Sequence, residues 1–183
     1  MYKQLARVLA VTSAAVLVST LAGPAQAATR SFTDRAGDVG HGVDLRAARV
    51  INGEHVVRVR LTHRDLVRSP RSGAGAVIYF DTDAGDAGPE YALAAGLFEG
   101  TDYALLSTNG WNLRRGTERV DCHYRMRLDY VEDLTRTRFA HGCFGDANRL
   151  RIEVRTGGTR RDGTHVTDWL GSPRSFAPWV PRG

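Results

Sequence analysis

The chain has 183 residues, 25 of them Lys or Arg and 20 Asp or Glu, with 42% hydrophobic residues, 20 glycines and two cysteines. That composition belongs to one soluble globular domain and excludes a disordered chain, a collagen-like repeat and a disulfide-dense miniprotein, because about 150 residues can bury roughly 68–70% of their unfolded surface around one core. The formal charge of +5 does not argue for a nucleic-acid partner, since every basic residue after Lys3 is an arginine in a sequence also rich in Ala and Gly, as a GC-rich coding sequence gives.

Residues 1–27 read as a secretory signal peptide. Lys3 and Arg7 precede an apolar run over residues 8–21, followed by Gly23, Pro24 and Ala25-Gln26-Ala27, an A-x-A cleavage site. A transmembrane helix needs about 20 apolar residues, and Thr12, Ser13, Ser19 and Thr20 dilute this shorter run. Cleavage after Ala27 leaves residues 28–183, expected to be one secreted, extracellular domain of net charge +3 with no membrane span.

The mature sequence opens with a polar group, Asp34, Asp38 and Asp44 among Gly37, Gly40 and Gly42. Beyond it, short apolar pieces of five to nine residues are separated by Gly, Pro, Asp or Asn, the pattern of strands and not of helices. Residues 55–62 place Val57, Val59 and Leu61 on one face and Arg58 and Arg60 on the other, as in a half-buried strand. Residues 69–75 read as a loop. Residues 76–80, Ala-Val-Ile-Tyr-Phe, are apolar on both faces and fit a central strand. Residues 91–98 and 103–107 follow as strands joined by a turn at residues 99–102. Towards the C-terminus Leu150, Ile152 and Val154 alternate with charged residues, and residues 156–163 read as a second loop. The expected fold class is all-β, a single antiparallel β-sandwich of about eight strands with one disulfide.

The disulfide follows from register. A turn centred on Glu132-Asp133 sets Met126 opposite Phe139, Asp129 opposite Arg136, and Cys122 opposite Cys143. Glu-Asp is poorly suited to a two-residue type I′ turn, so a four-residue loop over residues 131–134 is expected, with the same register. Export favours oxidation, and closing a loop of this length contributes on the order of 3 kcal/mol in the chain-entropy treatment.

Between Ser72 and Leu113 there is no Arg or Lys, while Asp81, Asp83, Asp86, Glu90, Glu99 and Asp102 all fall there. Calcium needs six to eight oxygens from a bendable loop. Asp81, Asp83, Asp86 and Glu90, interspersed with glycines directly after the apolar strand, are its candidate ligands. The spacing is not that of an EF-hand, and the same residues also fit a plain turn built from Asx-turns and glycines. Asp34, Asp38 and Asp44 would complete the site if the N-terminal strand ran alongside.

The D-x-x-G-D of Asp34-Arg35-Ala36-Gly37-Asp38 before Asp44-Leu45, the strand bearing Val57, Val59 and Leu61, and Tyr79-Phe80-Asp81-Thr82-Asp83 together resemble secreted actinobacterial β-sandwich proteins. Over residues 31–107 the pattern is similar to DOMON-like domains and family 9 carbohydrate-binding modules. The resemblance implies a ligand-binding sandwich, calcium-stabilised in some members, and not a hydrolase. Neither a haem ligand pair nor a sugar-stacking tryptophan pair can be matched to it.

Catalytic motifs are missing from the sequence. No G-x-S-x-G surrounds any serine and no H-E-x-x-H occurs. The acidic loop could supply the two carboxylates of a glycosidase, a spacing that any such loop satisfies. Binding surfaces remain. Tyr103 and Trp111 are candidate ligand-stacking residues, with core or rim packing as their ordinary role. Arg125, Arg127, Arg136 and Arg138 share the outer face of the disulfide hairpin, and Arg149, Arg151 and Arg155 follow on the next strand. Residues 121–155 hold seven arginines against six acids, which reads as a salt-bridged face more readily than as a polyanion stripe. The expected function is a secreted, non-catalytic, ligand-binding β-sandwich, calcium-stabilised and glycan-binding. The alternatives are a small hydrolase using the acidic loop and an interaction protein that binds anionic polymers through arginines.

Overall fold

A computed structural model describes residues 27–183; the signal peptide expected over residues 1–27 lies, apart from Ala27, outside the described residues. Among the described residues twelve strands form two antiparallel sheets, and no helix is long and apolar enough to cross a membrane. The strands are β1 (Ala28–Thr33), β2 (Leu45–Asn52), β3 (Val56–His63), β4 (Gly75–Asp81), β5 (Tyr91–Gly96), β6 (Tyr103–Ser107), β7 (Glu118–Arg119), β8 (Tyr124–Asp129), β9 (Leu134–Ala140), β10 (Arg149–Thr159), β11 (His165–Trp169) and β12 (Val180–Pro181). The five-stranded sheet has the order β1-β2-β3-β9-β8; the seven-stranded sheet has the order β11-β10-β4-β5-β6-β7, with β12 pairing β10. The all-β sandwich and its single disulfide are as expected. The strand number exceeds eight partly because β7 and β12, two residues each, are too short for alternation to reveal them.

Alternation decides which side chains meet between the sheets. Val57, Val59 and Leu61 of β3 face Ile78 and Phe80 of β4 and Ile152 and Val154 of β10 in one core. Phe80 packs on Phe139 and Phe144, with ring centroids 5.2 and 4.7 Å apart. In β2 an irregularity between Leu45 and Ala47 inserts one residue, so Leu45, Ala48 and Val50 are all buried despite their uneven spacing. Strand β4 lies between β10 and β5 and is buried on both faces, which accounts for its uninterrupted apolar run.

The stretch 156–163 is not a loop throughout. Strand β10 continues through Gly157 and Gly158 to Thr159, because β4 and β11 on either side supply backbone partners for those glycines.

The hairpin register differs from expectation by two residues. Met126 pairs with Thr137, Tyr124 with Phe139, and Asp129 with Leu134. Burial of Leu134 draws it into β9 opposite Thr62 of β3, while Asp133 takes the left-handed turn position at φ 56°. The connecting turn is therefore residues 130–133, one residue earlier than expected. A two-residue shift leaves every side chain on its expected face. Cys122 still reaches Cys143, with Cα atoms 5.5 Å apart, because a 3-10 turn over His141–Phe144 carries Cys143 back beside the strand. Asp129 and Arg136, no longer directly opposite, still pair diagonally at 2.8 Å.

Candidate functional site

The acidic loop after β4 is held together by its own backbone. The Asp83 carboxylate accepts the Gly85 N–H at 2.8 Å and the Asp86 carboxylate accepts the Ala87 N–H at 2.8 Å. Glu90 Oε2 accepts both the Thr82 N–H at 2.6 Å and the Thr82 hydroxyl at 3.0 Å. Asp81 is not in the loop but at the end of β4, fully buried, where its Oδ2 accepts from Arg151 Nε at 2.6 Å across the β4–β10 pair. Arg151 in turn lies over the rings of Phe176 and Trp179. Asp81 is thus in a buried ion pair with its Oδ1 left unpartnered, while Asp83, Asp86 and Glu90 accept turn hydrogen bonds.

The carboxylates that converge are others. Among the described residues one group of three can meet a common cation, Asp34, Asp38 and Asp168, with ligand atoms within 4.8 Å of one another. Asp168, on β11, bridges the sheets by accepting the Leu45 N–H at 2.7 Å. Burial pushes its carboxyl up to about 6, and Asp34 and Asp38 add to the shift. Asp34 accepts the Gly171 N–H through Oδ1, its Oδ2 is buried without a partner, and burial raises its pKa. Asp168 also accepts the Trp169 N–H through Oδ1 at 2.7 Å, and Asp44, outside the group, accepts the loop amides of Gly37 and Val39. The first acidic group does meet a strand of the seven-stranded sheet, but at β11 and not at the loop after β4.

Tyr103 and Trp111 make no ring contact with one another. Tyr103, half-buried on β6, packs edge-on against Tyr124 at 5.9 Å. Trp111 packs on Tyr79 and Phe176, both at 4.9 Å, in an aromatic cover over the outer face of the seven-stranded sheet. Beneath that face Glu153 is fully buried with both carboxylate oxygens unpartnered, and burial pushes it up to about 8, an effect that the nearby amides of Val154 and Leu170 offset only in part.

The outer face of the five-stranded sheet carries the largest organised set of charges. In register, Arg49 of β2 lies opposite Arg60 of β3, Arg60 opposite Arg136 of β9, and Arg136 opposite Arg127 of β8. One step along the strands, Arg58 lies opposite Arg138 and Arg138 opposite Arg125. Strand spacing is about 4.8 Å, and same-face residues along a strand are about 7 Å apart, so seven guanidinium groups form a two-row ladder. Arg49, Arg58, Arg60 and Arg136 line a common hollow of about 300 Å³. Among the described residues only Arg136 of the seven is ion-paired, with Asp129 at 2.8 Å and Glu132 at 2.7 Å. Its hydrogen bond holds the Asp129 carboxyl below the usual range.

The face is therefore not neutralised by salt bridges, contrary to the balance of charges along residues 121–155. Arg149, Arg151 and Arg155 belong to β10 in the other sheet and contribute nothing to it. The members that the sequence did not bring to the hairpin, Arg49, Arg58 and Arg60, sit on β2 and β3. The polar face of residues 55–62 held part of the signal, but the β3–β9 pairing that joins the two sets is long-range. Neither any protein-family model nor any curated protein matches the chain; what holds of the resemblance to DOMON-like domains and family 9 carbohydrate-binding modules is the β-sandwich architecture.

Proposed function

We propose that this protein is a secreted, non-catalytic module that binds an extracellular anionic polysaccharide through the arginine ladder. The observation that carries the reading is the in-register row Arg49, Arg60, Arg136 and Arg127, flanked by Arg58, Arg138 and Arg125, with one of the seven neutralised by acids. Like charges directly opposite each other in a sheet are destabilising. A polymer bearing sulfates or carboxylates relieves that repulsion, and each guanidinium presents a planar fork that can take such a group with two parallel hydrogen bonds.

The remaining surroundings favour a glycan over a nucleic acid. The strand residues on this face include Thr29, Ser31, Ala47, Ile51 and Thr62, and the tyrosines that border it, Tyr103 and Tyr124, lie at one end, in a hollow shared with Arg125 and Arg138, and not along the rows where successive bases would stack. The face is built of sheet strands and, among the described residues, carries no helix to enter a duplex groove. Binding is favoured over hydrolysis because Asp81 is taken by Arg151 and Glu90 by Thr82. Calcium enters as a structural ion at Asp34, Asp38 and Asp168 and has no part in the polymer contact.

The test is retention on an immobilised sulfated polysaccharide as salt is raised, for the protein and for Arg127→Glu/Arg138→Glu, with single-stranded DNA and a neutral glucan as competitors. The expected result is salt-sensitive retention, lost in the double variant and displaced by neither competitor. Retention unchanged by the substitutions, or displacement by the neutral glucan, overturns the proposal; displacement by DNA alone would move the site to nucleic acids.

A further inference from the structure

A second hollow, of about 950 Å³, opens between the β1–β2 loop, the β3–β4 loop and the β10–β11 turn. None of the seven ladder arginines lines it. Its cations are Arg71, Arg160 and Arg161, and among the described residues none of these three is in an ion pair. The one acid in the lining, Asp162, accepts the Thr164 N–H at 2.9 Å and so shapes the turn that carries Arg160 and Arg161.

The cavity wall is built to admit its donors. Gly40 has no side chain where a Cβ would lie 3.1 Å from the Arg160 guanidinium, and the Gly40 carbonyl accepts from Arg160 Nε at 3.3 Å, fixing the stem of that arginine. Gly158 lies beneath His41, where any Cβ would overlap the imidazole. His41 accepts the Val43 N–H at Nδ1. An imidazole that accepts at one nitrogen carries its hydrogen on the other, so Nε2 is the donor nitrogen of His41, a residue of the lining. Ser69 accepts the Arg71 N–H through Oγ, leaving its hydroxyl hydrogen to donate. The lining thus combines three guanidinium forks, an imidazole N–H and a hydroxyl, and the exposed Val67 gives its rim an apolar surface.

We infer that this hollow binds the sulfate or phosphate ester group of a small organic ligand. A tetrahedral oxyanion presents several acceptor oxygens at once, which guanidinium forks satisfy in pairs, and a hollow of this size falls within the range that holds a small molecule. The ester oxygens meet Arg160, Arg161 and Arg71, and the organic part lies against Val67. The site is separate from the arginine ladder and does not depend on the polysaccharide reading.

Isothermal titration at low salt with inorganic sulfate, inorganic phosphate, glucose 6-phosphate and glucose tests the assignment, alongside backbone amide shifts in the NMR spectrum. Saturable binding of the oxyanions and of the sugar phosphate is expected, with shifts at Gly40, His41 and Ser72 and none for glucose. Read at those amides, Arg160→Gln weakens binding at least tenfold, Arg160→Gln/Arg161→Gln abolishes the shifts, and Arg115→Gln, exposed on the β6–β7 connection and outside both arginine groups, leaves them unchanged. Gly40→Val, which disturbs Arg160 from the opposite wall, weakens binding independently of the charge changes. The relative affinity of sulfate and phosphate identifies which ester the site takes. No saturable shift of those amides by any oxyanion overturns the inference, and so does an affinity at those amides equal in the protein and in Arg160→Gln/Arg161→Gln, or lost equally in Arg115→Gln.

Discussion

Replacing Glu153 by Gln should flatten the pH dependence of stability on the alkaline side of neutrality. Glu153 is wholly buried, neither oxygen has a hydrogen-bond partner, and its pKa is pushed up to about 8 from an ordinary 4.5. Folding therefore takes up a proton between those two values, and stability falls as pH rises through that interval, levelling off above about 8. Other groups act in the same region below neutrality. Asp168, raised to about 6, acts in the same sense as Glu153. His63, lowered to about 4 by burial, and His141, also lowered, act in the opposite sense, adding stability as pH rises through 6.5, the value at which the unfolded imidazole is half protonated. Between pH 7 and 8 these effects are nearly complete, and Glu153 dominates among the groups with a large shift. Because Glu153 is half ionised at its folded pKa, the loss of stability over that window is about 1 kcal/mol.

The assay is urea unfolding at pH 7, 7.5 and 8, reading the midpoint at constant slope. Gln keeps the shape but buries an amide without partners, which lowers stability by about 1–3 kcal/mol at every pH; the comparison therefore rests on the pH slope and not on the absolute value. The protein should lose stability across the window while Glu153→Gln stays level. Parallel curves would mean that Glu153 is ionised in the folded state or solvated by water, and would refute the reasoning.

Calcium should raise the melting temperature through Asp34, Asp38 and Asp168: at 100 times its dissociation constant an ion adds about 2.7 kcal/mol, about 8 °C for a domain of this size. That rise should vanish in Asp34→Asn/Asp38→Asn and persist in Asp83→Asn, as differential scanning fluorimetry with calcium and with EDTA would measure; a rise lost only in Asp83→Asn would return the ion to the loop after β4. On the ladder, Arg138→Thr should raise stability in urea by a few tenths of a kcal/mol, because it removes like-charge contacts with Arg58 and Arg125, while weakening retention on the sulfated polysaccharide. A loss of stability instead would show that neighbouring arginines support one another by packing.

Much of the fold was legible because alternation is local. The valines of residues 55–62 and the apolar block at residues 76–80 announced a half-buried and a central strand, and the structure has β3 and β4 there. The disulfide survived a wrong register because errors of two residues conserve facing, and because the 3-10 turn at His141–Phe144 restored the reach that the shift removed. What alternation could not reveal was the continuation of β10 through Gly157 and Gly158. Glycine pairs read as loop in isolation, and only the partners on both sides, β4 and β11, make them strand.

The site was less legible for a related reason. Counting charges along residues 121–155 balances arginines against acids, yet balance along a chain says nothing about balance on a face. Of the acids in that stretch, Asp129 and Glu132 reach a ladder arginine, and the same one. Glu153 is buried in the other sheet, Asp146 contacts Arg182 and His141, and Asp133 accepts the Leu66 N–H. The arginines, by contrast, are gathered from both sequence regions by one long-range pairing, β3 with β9, which sets Arg58 and Arg60 beside Arg138 and Arg136. Topology thus separates charges that the sequence intermingles and joins charges that it keeps apart. The outcome is a sheet that contains its own like-charge repulsion, and the proposed partner, a polymer carrying negative charge at intervals comparable to the strand spacing, would relieve it.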